Sequence, residues 1–77
     1  MQLNLFEVKS GESCLYLRCK NIQKEKELTA YGFISGVNVD VISKTKYSIV
    51  IRVLDGVFSL NRKLASEILV EVKKYER

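Results

Sequence analysis

Four stretches of the chain alternate with period two, and a fifth repeats with the longer period of a helix. Ser13 to Cys19 sets Leu15, Leu17 and Cys19 against Cys14, Tyr16 and Arg18; Val37, Val39 and Val41 alternate with Asn38, Asp40 and Ile42. Ile49, Ile51 and Val53 face away from Ser48, Val50 and Arg52, and Ile68, Val70 and Val72 from Leu69 and Glu71. Successive strand residues point to opposite faces, so each run reads as a half-buried strand, and the β-branched content agrees. The expected core is Leu15, Leu17, Val39, Val41, Ile49, Ile51, Val53, Phe58, Leu60, Val70 and Val72.

Between the first two strands lies NIQKEKELTAYG, rich in good helix formers, with Leu28 and Tyr31 on one face at i, i+3. A helix is predicted near residues 22–31. Gly32 falls at its C′ position, where φ is positive and a Cβ would be penalised, and Phe33 should then pack back on Leu28. Ile34-Ser35-Gly36-Val37 reads as a type II turn with Gly36 at the residue requiring φ > 0. A shorter helical turn is expected after Asn61, a good N-cap before Arg62-Lys63-Leu64-Ala65.

Leu54-Asp55-Gly56-Val57 carries the two-residue hairpin signal, with Asp55 and Gly56 as the central pair. That turn would pair Val53 with Phe58 and Ile51 with Leu60. Between strands 39–43 and 48–53, parity demands an odd-length loop or a bulge around Lys44-Thr45-Lys46. The whole reads as mainly β: one domain over residues 1–77, a small curled barrel with one inserted helix and a helical turn before the last strand. Curling removes most of the edge problem of so small a sheet.

At 77 residues the chain buries only about 60% of its unfolded surface, which leaves hardly any room for a deep substrate cavity. No apolar run approaches the roughly 20 residues that span a bilayer, and MQLNLFEVKSGE lacks a signal-peptide pattern, so a cytoplasmic location is expected. The net charge of +4 suits an acidic partner, but the cations are spread along the chain, at Lys24/Lys26, Lys44/Lys46, Arg62/Lys63 and Lys73/Lys74.

The sequence contains no histidine, which removes the commonest general base, and its four glycines are isolated turn residues rather than a phosphate-cradling loop. No catalytic residue, metal site or cofactor is expected. On one strand, Cys14 and Cys19 would face opposite ways about 16 Å apart, beyond disulfide reach, with Cys19 in the core and Cys14 more exposed.

The order of elements resembles the ferrous-iron transport protein A (FeoA) family, an SH3-like β-barrel domain. The resemblance covers nearly the whole chain. It rests on Leu3 and Leu5 followed by Gly11, on Leu28-x-x-Tyr31-Gly32-Phe33-x-x-Gly36, and on Phe58-Ser59-Leu60-Asn61-Arg62 with Ala65-x-x-Ile68-x-Val70. Tyr31 replaces the family's usual Leu and Ser35 its usual Pro. A Pro would preset φ at that turn, so its absence costs roughly 0.4–1 kcal/mol without changing the turn type.

The resemblance implies a small cytosolic accessory of a membrane ferrous-iron transporter, FeoB, acting by protein–protein interaction without entering the membrane itself. A similar domain ends some metal-dependent repressors, but 77 residues leave no room for their winged-helix part. The rival reading is a basic barrel that binds RNA or single strands through Lys44-Thr45-Lys46-Tyr47. The absence of Trp, and of aromatics interleaved with arginines, argues against it.

A docking surface can also be proposed from parity. Ile42, Val50, Leu54 and Val57 fall on the outward side of their strands, with Leu69 a weaker member. If the helix and the N-terminal segment leave them uncovered, Leu54 and Val57 form an apolar patch near the basic loop of Lys44, Lys46 and Tyr47.

Overall fold

The computed structural model describes residues 2–72 and places six strands and two helices in them. The strands are β1 (Gln2–Asn4), β2 (Ser13–Cys19), β3 (Asn38–Lys44), β4 (Ser48–Val53), β5 (Gly56–Asn61) and β6 (Ile68–Glu71). Helix α1 spans Ile22–Ala30 and α2 spans Arg62–Glu67. All strands join one antiparallel sheet in the order β1-β6-β2-β3-β4-β5. The mainly β, SH3-like architecture is as expected, but the sheet is not closed: β1 and β5 are its two edges. Helix α2 touches both of these edges, together with β4 and β6, and so spans the gap.

Helix α1 ends as its sequence dictates. Asn21 caps its start by accepting from Lys24 N–H at 3.1 Å. At the other end Gly32 has φ +102°, its N–H reaches Thr29 O at 3.1 Å, and Phe33 N–H reaches Leu28 O at 3.0 Å. These two bonds are the Schellman pair, which satisfies carbonyls a helix end otherwise leaves bare. Phe33 is thereby driven into the core, 5.6 Å and edge-on from the Tyr16 ring and 5.7 Å from the Phe58 ring. Gly36, at φ +94°, completes the type II turn, with Val37 N–H on Ile34 O at 2.9 Å. That turn is stitched to β2, because Gly36 N–H donates to Tyr16 O at 2.7 Å.

The structure corrects the reading of β2. Cys14 and Tyr16 are buried, whereas Leu15 and Leu17 are only half-buried. Cys14 pairs with Val39 and Tyr16 with Val70, both core residues, and a register shift between Tyr16 and Arg18 returns Cys19 to the inside opposite Ile68. Alternation favours the Leu15, Leu17 and Cys19 face over the one carrying Arg18, but the bulge at Leu17 breaks parity midway, so Cys14 and Tyr16 before it and Cys19 after it all point inward. Both thiols therefore lie inside.

The hairpin between β4 and β5 is shifted as well. Val53 pairs with Gly56, Ile51 with Phe58 and Ile49 with Leu60, so Leu54 and Asp55 form the loop instead of Asp55 and Gly56. Leu54 has the positive φ, +55°, and Gly56 does not. The reason is a close approach: a Cβ on Gly56 would lie 2.7 Å from Cζ of Phe58, whose ring crosses the glycine. The shift is two residues in register, so Phe58 and Leu60 keep the expected face. On the β3–β4 side, the register shifts between Val41 and Ser43, placing a bulge at Ile42; the last pair is Lys44 with Ile49, and Thr45 N–H donates to Ser48 O at 2.9 Å within the loop.

The core also takes residues the strand pattern does not mark. Leu5, Val8, Leu28, Phe33 and Ala65 are buried, while Phe58, Leu60 and Val72 are half-buried at its margin. Leu5 enters through a 3-10 turn, Leu5–Glu7, held by a capping box: Asn4 Oδ1 accepts from Glu7 N–H and Glu7 Oε1 from Asn4 N–H. Asn61 caps α2 as expected, accepting from Leu64 N–H at 2.8 Å. Lys73 and Lys74 lie outside the described residues.

Gly32→Ala should lower stability by about 1–2 kcal/mol from the left-handed backbone, with a further loss from contact. The new Cβ would meet Leu54 Cδ1 at 2.7 Å. Urea unfolding of Gly32→Ala with and without Leu54→Ala separates the two: the second change should recover the contact part only. Full recovery would show that the backbone carries no strain.

Candidate interaction surface

Strand β4 separates the expected site residues into two groups. Ile42, Val50, Lys44, Lys46 and Tyr47 lie towards its beginning, Leu54 and Val57 at its end. Six residues of strand hold the ends about 20 Å apart, so Leu54 and Val57 do not adjoin the basic loop. Each group has a different character.

At the first end the cations are tied into the fold. Lys44 Nζ donates to Phe6 O at 2.8 Å and Val8 O at 3.0 Å, and lies 5.2 Å from the Phe6 ring centre. The Arg62 guanidinium sits 4.9 Å from the same ring and donates through Nη1 to Lys46 O at 3.1 Å. Two cations on one ring stabilise the N-terminal turn against β3 and α2. Lys44 is thus half-buried and largely committed, whereas Lys46 and Tyr47 remain exposed, with the ammonium 5.8 Å from the tyrosine ring. No described carboxylate forms an ion pair with Lys44, Lys46 or Arg62. Ile42 stands exposed in its bulge, and Val50 is half-buried opposite Ser43 and Ser59.

At the second end the exposed apolar residues are continuous. Leu54 is 65% exposed, Val57 57% and Tyr31 61%. Leu54 lies over Gly32, and the Tyr31 ring meets Phe58 edge-on at 5.6 Å. From here a groove of about 360 Å³ runs between α1 and β5, floored by Leu28, Phe33, Phe58, Leu60 and Leu64. Lys24 and Glu27, ion-paired at 3.5 Å, stand on its helix side. The groove explains why Phe58 and Leu60 are only half-buried: their inward face is open at the sheet edge. Tyr31 and the groove escaped the strand pattern, although Tyr31 shares a helix face with Leu28 and follows from that spacing. Leu69 is half-buried in β6, away from both groups.

The groups with intrinsic reactivity are shut away. Burial, then Asp40, pushes the Cys14 thiol up to about 12; burial also raises Cys19. The Tyr16 phenol is pushed up to about 12 by burial, then by Glu25 and Cys19. Asp40 is held below the usual carboxylate range by hydrogen bonds from Ser13 Oγ and from Asn38 Nδ2, with Arg52 adding to the effect. Among the described residues, no three His, Cys, Asp or Glu side chains gather where they could hold a metal ion.

A family model described as the FeoA domain matches residues 3–72. Among curated proteins none matches. Among solved structures, an iron uptake regulatory protein (FeoA) is similar at a TM-score of 0.80 and 22% identity, over 92% of this chain and 96% of that one. A FeoA-like protein from Clostridium acetobutylicum gives 0.82 and 22%, over 99% and 92%. A manganese-dependent transcriptional repressor gives 0.82 and 14%, over 94% of this chain but 42% of its own. At these identities the likeness is one of fold.

Thiol labelling with a disulfide reagent at neutral pH should leave both cysteines untouched in the native protein and modify both after denaturation. Fast labelling of Cys14 in the native state would contradict its burial. Because the folded state lowers the Asp40 pKa, its contribution to stability is present above the unfolded value near 3.9 and is lost as pH falls through the lower folded one. Ser13→Ala should raise that folded pKa, read by carboxyl NMR titration, and should reduce stability at pH 7 more than at pH 2.

Proposed function

Because the chain belongs to the FeoA domain family, we propose that it is a small non-enzymatic accessory of a bacterial ferrous-iron transport system. It docks onto the cytosolic side of the membrane transporter FeoB. The family match over residues 3–72 carries this reading, since it takes in both helices and all the strands but for Gln2, the first residue of β1.

Three features of the chain support it. No helix among the described residues is long and apolar enough to cross a membrane, so contact with the membrane system would run through the transporter. The absence of histidine and the burial of both thiols support a non-catalytic role, and iron is the transporter's cargo. Leu54 is the third feature. A large aliphatic side chain with φ +55°, 65% exposed, is a poor choice for a turn that Asn or Gly would fill without strain. Strain retained on a surface residue points to a role in contact with a partner.

Leu54→Asn should leave stability within about 1 kcal/mol of wild type, since relief of backbone strain offsets lost contact. The same change should lower recovery of the transporter on affinity capture from a native membrane extract, and lower ferrous-iron uptake when it replaces the wild-type gene. Capture of ribonucleoprotein by the wild-type protein, salt-sensitive and without transporter, would overturn the reading.

A further inference from the structure

The two edges of the sheet are protected very differently. β1 is only three residues long and runs straight into the capped turn at Leu5, so it offers little to pair with. β5 has six residues, GVFSLN, with no charge, no proline and no shift in its register against β4. Edge strands are ordinarily blunted by one of those devices.

The ladder shows which backbone groups are free. Arg62 N–H donates to Tyr47 O at 2.8 Å, so Tyr47 and Arg62 form a hydrogen-bonded pair at the end of the β4–β5 ladder. Such pairs alternate along an antiparallel ladder. In the observed register, Leu60, Phe58 and Gly56 therefore bond to β4, while Val57 and Ser59 turn their N–H and C=O groups outward. Among the described residues nothing accepts from or donates to those outward groups. They border the groove between β5 and α1.

The ends of this edge differ in chemistry. Beside Gly56 lie the exposed Leu54, Val57 and Tyr31; beyond Asn61 come Arg62 and Lys63, with Lys46 bound to Arg62 through its carbonyl. We propose that the free edge of β5 and its groove receive one extended segment of a partner protein as a seventh, antiparallel strand, acidic in its N-terminal half and apolar in its C-terminal half. Antiparallel pairing puts the incoming N-terminal half beside Arg62, Lys63 and Lys46, and the C-terminal half beside Leu54 and Tyr31. A second copy of this chain fits less well, because each copy carries a net charge of +4 and β5 has no acidic residue. Main-chain bonds to Val57 and Ser59 would give affinity, and alternate side chains entering the groove would give specificity.

This inference rests on the accessory reading and names how the partner is held, but it is tested on the isolated protein. The probe is the synthetic peptide EDEVTVTV, titrated into labelled protein by NMR, with KRKVTVTV as its charge-reversed control. The acidic peptide should shift the amides of Val57, Ser59, Tyr31 and Leu64 and slow exchange at Val57 and Ser59 by about tenfold or more. The basic peptide should do neither, and added salt should weaken binding. Ser59→Pro removes an outward N–H without touching the β4 ladder and should abolish the effect. Val57→Lys, at an exposed position, should do the same and serves if the proline variant does not fold.

Equal binding by either variant that folds, shifts confined to Lys44–Tyr47, or no shift at millimolar peptide would overturn the proposal. So would concentration-dependent protection of Val57 and Ser59 without peptide, which would make a second copy the occupant. Transporter capture that persists in Ser59→Pro would leave the accessory reading standing and sink this one alone.

Discussion

The left-handed backbone at Gly32 is the constraint on which the rest of the domain depends. A helix that ended otherwise would carry Phe33 into solvent. Instead the two Schellman hydrogen bonds reverse the chain within one residue, and Phe33 lands between Tyr16 and Phe58. That ring cluster joins the end of α1 to β2 and β5, two strands that are not neighbours in the sheet. Burying an aromatic side chain contributes on the order of 1.5–3 kcal/mol, a large share of what so small a core can supply. Space for the cluster comes from two glycines: Gly32 lies beneath Leu54, and Gly56 beneath the Phe58 ring.

The parts of this fold that were legible in the sequence are those governed by local chemistry. The helix cap at Asn61, positive φ at Gly32 and Gly36, and the inward parity of Val39, Val41, Ile49, Ile51 and Val53 follow from neighbours in the chain. What was not legible depends on tertiary partners. The face of β2 was decided by Val39 and Val70 across the sheet and by the bulge at Leu17, which lets Tyr16 and Cys19 both point inward although their parity differs. The Asp-Gly signal gave way to the ring of Phe58, and the burial of Leu5 and Val8 depends on a turn that Lys44 reaches from β3. For the surface, alternation identified Leu54 and Val57 as outward, but not that Tyr31 joins them or that a groove opens beside them.

Charge on this domain therefore serves two distinct purposes. Lys44 and Arg62 face a ring and carbonyls, where they hold the N-terminal turn closed, so substituting them disturbs packing as well as charge. Lys46 stands free of such ties apart from its contact with the Tyr47 ring, and belongs to the field a partner would meet. A net charge of +4 does not by itself distinguish these roles. The attachments of each side chain do.

The pairing of β1 with β6 sets Gln2 directly opposite Glu71. The first and last described strands thus meet side by side at one margin of the sheet, and β5 occupies the other. A domain built this way is modular: it can be spliced onto another polypeptide at either end, or set between two, with its joints gathered at a single corner. Such tethering would leave the far margin unencumbered, which suits a fold found both as a small protein and as a minor part of a longer repressor.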